Sequence, residues 1–214
     1  MHKLINMTLN DYINEVDSEL PAPGGGSVMG LVGSLACALA GMVGHLTVGK
    51  NEFMTLNEEE QKSFNDVLEN IKNIKLKLME MVDKDALVFN AFMYAMKMPK
   101  NTLEDKNKRK EAISNAAIMA IDIPFTILES CYKLIPLFDI VLKYGNSNVV
   151  SDIAISYILS FASAKGSILN ININIPFICD ETYINNIKSI SMKYIKFIES
   201  RYYELEKELN LFNI

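Results

Sequence analysis

Half of the 214 residues are hydrophobic, enough to bury a core without disulfides or metals. A net charge of -5 and an isoelectric point near 5.2 argue against general affinity for nucleic acid or anionic membranes, whose phosphates need concentrated positive charge. Three scattered cysteines without a C-x-x-C pair fit a reducing cytoplasm, and His2 and His45 alone give a zinc site or a Ser-His-Asp triad almost nothing to be built from.

Residues 1–15 lack the apolar run of a signal peptide, so the chain is expected to stay in the cytoplasm. Thr8 and Asp11 suit the cap and first turn of a short helix reaching about Glu19, stopped by Pro21 and Pro23. A loop at residues 21–26 then leads into an apolar helix expected over residues 27–49, without a formal charge from Ser27 to Leu46. Length alone would let this stretch cross a bilayer. The prolines and glycines before it, the lack of an aromatic anchor and the soluble-type pattern after it favour a central helix buried on all sides. His45 lies on this helix and is read as a core histidine.

From residue 57 to 97 the apolar positions Phe64, Val67, Ile71, Ile74, Leu78, Met81 or Val82, Phe89, Phe92 and Met96 fall three and four apart, the mark of one long amphipathic helix. Met98-Pro99 ends it. A new helix begins near Thr102, and Pro124 and Pro136 are expected to bend or interrupt it before Gly145-Asn146 marks a turn. A helix over residues 148–165 follows. In residues 168–175 apolar residues alternate with Asn170, Asn172 and Asn174, a period-two pattern that by itself predicts a strand. No partner strand is visible, and a helical reading would put Asn170 and Asn174 on one face. A closing helix spans residues 180–211, and no repeat or linker divides residues 1–214, so one all-α domain is expected, with long amphipathic helices around a small-residue-rich central one.

Continuing the stripe from Leu78 and Met81 to Phe89 and Phe92 puts Asp85 on the core-facing side. Asp83 sits about 200° away around the helix and points elsewhere. A carboxylate in an apolar seam needs partners, and its desolvation raises its pKa toward values useful for proton transfer; a buried structural hydrogen bond would account for it equally well. The loop Pro21-Ala22-Pro23-Gly24-Gly25-Gly26-Ser27 allows close backbone approach, and the first amides of the helix behind it can bind an anion or a carbonyl. It has no P-loop lysine and no preceding strand. A flexible lead-in with Ser27 as N-cap is the plainer reading of its composition.

The string from Pro21 to Ser27, continued by Ala40-Gly41-Met42-Val43 and Leu46-Thr47-Val48-Gly49-Lys50, resembles the formimidoyltetrahydrofolate cyclodeaminase and methenyltetrahydrofolate cyclohydrolase family. The resemblance runs on in order through Asp85-Ala86, Met98-Pro99-Lys100, Arg109, Gly145-Asn146, Ser151-Asp152 and the asparagines from 170 to 174. It implies an all-α, cytoplasmic homo-oligomer, a dimer or higher, acting on tetrahydrofolate derivatives, with no paired formiminotransferase domain in this chain and no cofactor beyond the folate itself. It also implies Asp85 as the acid/base. Gly24, Gly25, Gly26 and Ser27 would border the substrate, joined by Asn146, Asp152, Asn170 and Asn174. Lys50, Lys100 and Arg109 would hold the glutamate tail, which can be polyglutamylated. No nucleic acid, membrane or metal enters this reading. Its rival is a non-catalytic scaffold in which the small-residue helix mediates oligomerisation and Asp85 is structural.

Overall fold

The computed structural model describes residues 3–209, and they contain no strand. A 3-10 turn at Leu4–Asn6 precedes α1 (Leu9–Val16), α2 (Gly25–His45), α3 (Asn51–Met54), α4 (Glu58–Met96), α5 (Leu103–Tyr144), α6 (Val150–Asn174) and α7 (Glu181–Glu208). Residues 210 and 211 of the expected closing helix, and His2, lie outside the described residues.

Capping side chains set most helix starts. Thr8 Oγ1 accepts the Asp11 N–H at 3.1 Å, Asn57 with Glu60 and Thr102 with Asp105 form reciprocal capping boxes, and Asp180 Oδ1 accepts the Tyr183 N–H at 3.0 Å. α1 stops at Val16 rather than near Glu19, because the Ser18 hydroxyl takes the Glu15 carbonyl at 2.7 Å and turns the chain early. α2 begins at Gly25 with Gly24 as N-cap, two residues before the expected start, and ends at His45 ahead of the left-handed turn at Gly49.

α2 lies in a groove formed by α4, α5 and α6, and runs antiparallel to both α4 and α6. Small residues allow this. A Cβ on Gly33 would stand 3.0 Å from Ser163 Oγ and 3.2 Å from a Leu78 methyl, so that turn of α2 touches α6 and α4 at once. Ser163 Oγ also donates to the Met29 carbonyl at 2.8 Å, tying the two helices together. α7 covers α5 and α6 instead of α2, clamped by Arg201, which pairs with Asp139 at 2.7 Å and with Glu208.

The central helix is therefore not buried on all sides. Leu35, Met42 and Leu46 are 49%, 38% and 39% exposed along an open face, because no further helix among the described residues covers it. His45 is exposed at the last turn and is not a core residue. α2 and residues 147–177 are each long and apolar enough to cross a bilayer. Within the bundle, Ser27 and Ser34 of α2 and Ser156, Ser160, Ser163 and Ser167 of α6 are buried.

α5 runs unbroken through Pro124 and Pro136. Each proline costs about 3 kcal/mol in a helix interior. Ile121, Ile127, Leu128, Cys131, Leu134, Ile135 and Phe138 are fully buried around them, at about 1.5–3 kcal/mol for each large side chain, and this packing outweighs the local penalty. Residues 168–174 are helical, overturning the strand pattern. Asn170 Nδ2 donates to the Gly166 carbonyl at 3.0 Å and Asn174 Nδ2 to the Asn170 carbonyl at 2.8 Å, so both asparagines back-bond along one helical face while Asn172 faces solvent.

Candidate active-site cleft

The first turn of α2, the C-terminal third of α4 and the last turn of α6 meet at one end of the bundle. They enclose a cleft of about 300 Å³. Gly24, Gly25, Gly26 and Ala22 form one side, Val88, Phe89, Phe92 and Phe177 an apolar wall, and Asp85, Asn170 and Asn174 supply polar side chains. Phe92 and Phe177 stand edge to face, with centroids 5.1 Å apart.

Asp85 is held by the backbone. Its Oδ2 accepts the Ser27 N–H at 2.9 Å, so a carboxylate of α4 satisfies one of the open amides at the α2 N-terminus. Its Oδ1 has no protein donor among the described residues. Burial pushes the Asp85 carboxyl above the usual carboxylate range, and the Ser27 amide draws it partly back. Close approach requires glycine at position 26, since a Cβ there would collide with this carboxylate.

Ser27 is not the N-cap. Its hydroxyl donates to the Val82 carbonyl at 2.9 Å, and the 3.1 Å contact with Tyr12 must then be donated by the phenol, because a serine hydroxyl has one proton. Tyr12, Ser27 and Asp85 thus lock α1, α2 and α4 at the cleft. Burial raises the Tyr12 pKa, and the nearby Asp85 charge raises it further. Tyr12→Phe is expected to cost about 1 kcal/mol of stability, read from a denaturant midpoint, because one buried hydrogen bond is lost while the ring still packs.

Gly25 and Gly26 add two more donors, since neither N–H meets a protein acceptor among the described residues. The cleft therefore offers a desolvated carboxylate with one free oxygen, two open amides and aromatic faces. Such a site can stack a flat ring, hold its acceptor atoms, and take and return a proton.

The candidates from sequence divide into three groups. Asp85, Gly24, Gly25, Gly26, Ser27, Asn170 and Asn174 come together here. Lys50 and Asn146 meet at the far end of α2, about 30 Å away by helix rise, where the Asn146 N–H donates to Thr47 Oγ1 at 2.9 Å. Asp152, in the first turn of α6, is about 27 Å along that helix from Asn170. These three do not border the cleft. Arg109 donates to the Met96 carbonyl at 2.9 Å, one turn beyond Phe92, and Lys100 is exposed in the adjoining α4–α5 connection. Tyr12 and Phe177 had no signal in the sequence. Phe89 and Phe92 did, but their stripe reads as core when it forms the cleft wall.

The sequence pattern of the formiminotransferase-cyclodeaminase family matches residues 8–192. The chain belongs to this family. It is 32% identical over 178 residues to methenyltetrahydrofolate cyclohydrolase of Methylorubrum extorquens, covering 83% of this chain and 84% of that protein. It is 30% identical over 180 residues to formimidoyltransferase-cyclodeaminase of Sus scrofa, covering 84% of this chain but only 32% of that longer protein. Among solved structures, formiminotetrahydrofolate cyclodeaminase from Thermotoga maritima superposes with a TM-score of 0.85 at 26% identity, covering 97% of this chain and 98% of its own. Family membership thus rests on nearly the whole helical assembly, with the cleft included.

Proposed function

We propose that this protein is a one-carbon tetrahydrofolate enzyme, either a formimidoyltetrahydrofolate cyclodeaminase or a methenyltetrahydrofolate cyclohydrolase, with Asp85 as its acid/base. The observation that carries the reading is the Asp85 carboxylate, desolvated beside aromatic rings with one oxygen anchored and one free. Names of relatives that match over most of this chain support the same chemistry.

In the cyclodeaminase reaction N10 attacks the protonated formimino carbon on N5, forming the N10–C bond. Asp85 carries the N10 proton to the departing nitrogen, the C–N bond breaks, and ammonia leaves with 5,10-methenyltetrahydrofolate as product. In the cyclohydrolase reaction water adds to the methenyl carbon and loses one proton to Asp85. The remaining hydroxyl proton passes to N5 as the C–N5 bond breaks, giving 10-formyltetrahydrofolate and one proton to solvent. Gly25 and Gly26 amides, with Asn170 and Asn174, border the ring, while Arg109 and Lys100 lie beyond Phe92 on the side suited to the glutamate tail, polyglutamylated or not. Separate incubation with 5-formiminotetrahydrofolate and 5,10-methenyltetrahydrofolate tests the reading. Turnover of one or both is expected, and turnover of neither overturns it.

A cytoplasmic homo-oligomer, dimer or higher, without nucleic acid or membrane partners, belongs to the same proposal. Support comes from the open face of α2, where Leu35 and Met42 stand exposed on an uncharged helix. Leu35→Glu is expected to yield a smaller species than the native chain in sedimentation equilibrium. A native chain that is itself monomeric would remove the argument.

A further inference from the structure

Asp85 is the single ionisable side chain among the fourteen residues that line the cleft. Among the described residues no lysine, arginine or histidine lines it, so none of them gives the carboxylate a side-chain counter-charge there. The α2 N-terminus supplies about half a positive charge, which offsets it only in part. Val88, Phe89, Phe92, Ile173 and Phe177 make much of the wall apolar. Aromatic faces attract cations, and a carboxylate beside them does so more strongly in a partly desolvated site.

Folate one-carbon units differ in charge at their reacting atom. A 5-formimino group is a formamidine, protonated and cationic at neutral pH. The 5,10-methenyl bridge is an amidinium with a permanent positive charge. The 5-formyl and 10-formyl groups are neutral amides.

We propose that the cleft selects tetrahydrofolates whose one-carbon unit is cationic, with the free Asp85 Oδ1 and the Phe89, Phe92 and Phe177 rings forming the counter-ion cage. This rests on the folate reading above and names what that site discriminates. The selection has a direction: in ring closure the positive unit persists from substrate to product, so both are held. In hydrolysis the charge vanishes as the formyl amide forms, and the product loses its grip on the carboxylate.

The test compares two probes that share the pteridine and the glutamate tail. Binding of 5,10-methenyltetrahydrofolate is followed by stopped-flow tyrosine quenching before the first turnover, and binding of 5-formyltetrahydrofolate by the same signal. The native protein is expected to prefer the methenyl cation by at least about tenfold, roughly 1.4 kcal/mol. In Asp85→Asn, checked for native helicity by circular dichroism, the preference is expected to fall within about twofold. Equal affinity for the two probes in the native protein overturns the proposal while leaving the folate reading intact, and so does an undiminished preference in the variant. Binding of neither probe overturns the folate reading and this proposal with it. The native comparison stands even if the variant fails to fold.

Discussion

Asp85→Asn is expected to lower turnover by about 10²–10⁴-fold while the protein stays folded, since proton-transfer groups commonly contribute that much. Asparagine keeps the size of the side chain, and its carbonyl oxygen can still accept the Ser27 N–H, but it cannot exchange a proton. Asp83→Asn is the control. Asp83 Oδ1 instead accepts the Ile5 N–H at 3.4 Å, on another side of α4, and its replacement is expected to leave turnover near normal. The pH profile carries the same signature. Burial raises the folded-state Asp85 pKa, so the ionised base is lost as pH falls through a value above the ordinary carboxylate range, and activity falls with it. The same shift makes the ionised form a stability cost, which grows as pH rises from the unfolded pKa toward the folded one. An acid limb at the usual carboxylate value, or an active Asp85→Asn, would remove Asp85 from the mechanism.

Gly26→Ala is expected to be nearly as damaging, with a loss of about 10²-fold or more in turnover, because misplacing a reacting group by about 1 Å can cost that much. The added methyl would fall 2.6 Å from Asp85 Cγ, so the carboxylate must swing away and release the Ser27 amide. Gly25→Ala meets nothing closer than Asn170 Oδ1 at 3.4 Å, and its effect is expected to be much smaller. Equal losses in the two variants, or a Gly26→Ala loss matched by unfolding, would show the loop to be a structural turn. Left-handed backbone is not the reason for these glycines, since among the described residues Gly49 alone has a positive φ. Their use is proximity.

Much of this arrangement is legible in the chain because the governing signals are local. The three-four stripe of α4 points Asp85 inward, and the caps at Thr8, Asn57 and Thr102 set helix starts to within a residue. The asparagines at 170–174 misled because alternation is scored along the chain, whereas the bonds that hold them run four residues back. Pro124 and Pro136 misled for the opposite reason: their local penalty is real, and only the buried packing of α5, which the sequence does not display, outweighs it. Lys50, Asn146 and Asp152 share the family pattern with Asp85, but pattern order carries no distance. Antiparallel helices put them at the other end of the bundle. Tyr12 was invisible because its role is a single hydrogen bond to a residue fifteen positions away.

The seam between α2 and α6 gives the molecule a mechanical property. Gly33 and Ser163 touch where the two helices cross, and the Ser163 hydroxyl pins that point to the Met29 carbonyl. From there α2 runs about 12 Å to Gly25 and α6 about 10 Å to Asn170, and the two ends adjoin at the cleft, where a Cβ on Gly25 would stand 3.4 Å from Asn170 Oδ1. Between the seam and the cleft the helices stay in contact, with Met29 of α2 packed on Gly166 of α6. A bulky side chain inserted at Gly33 would therefore be felt at the cleft, shifting the glycine amides against the asparagines from a position that lines no part of it.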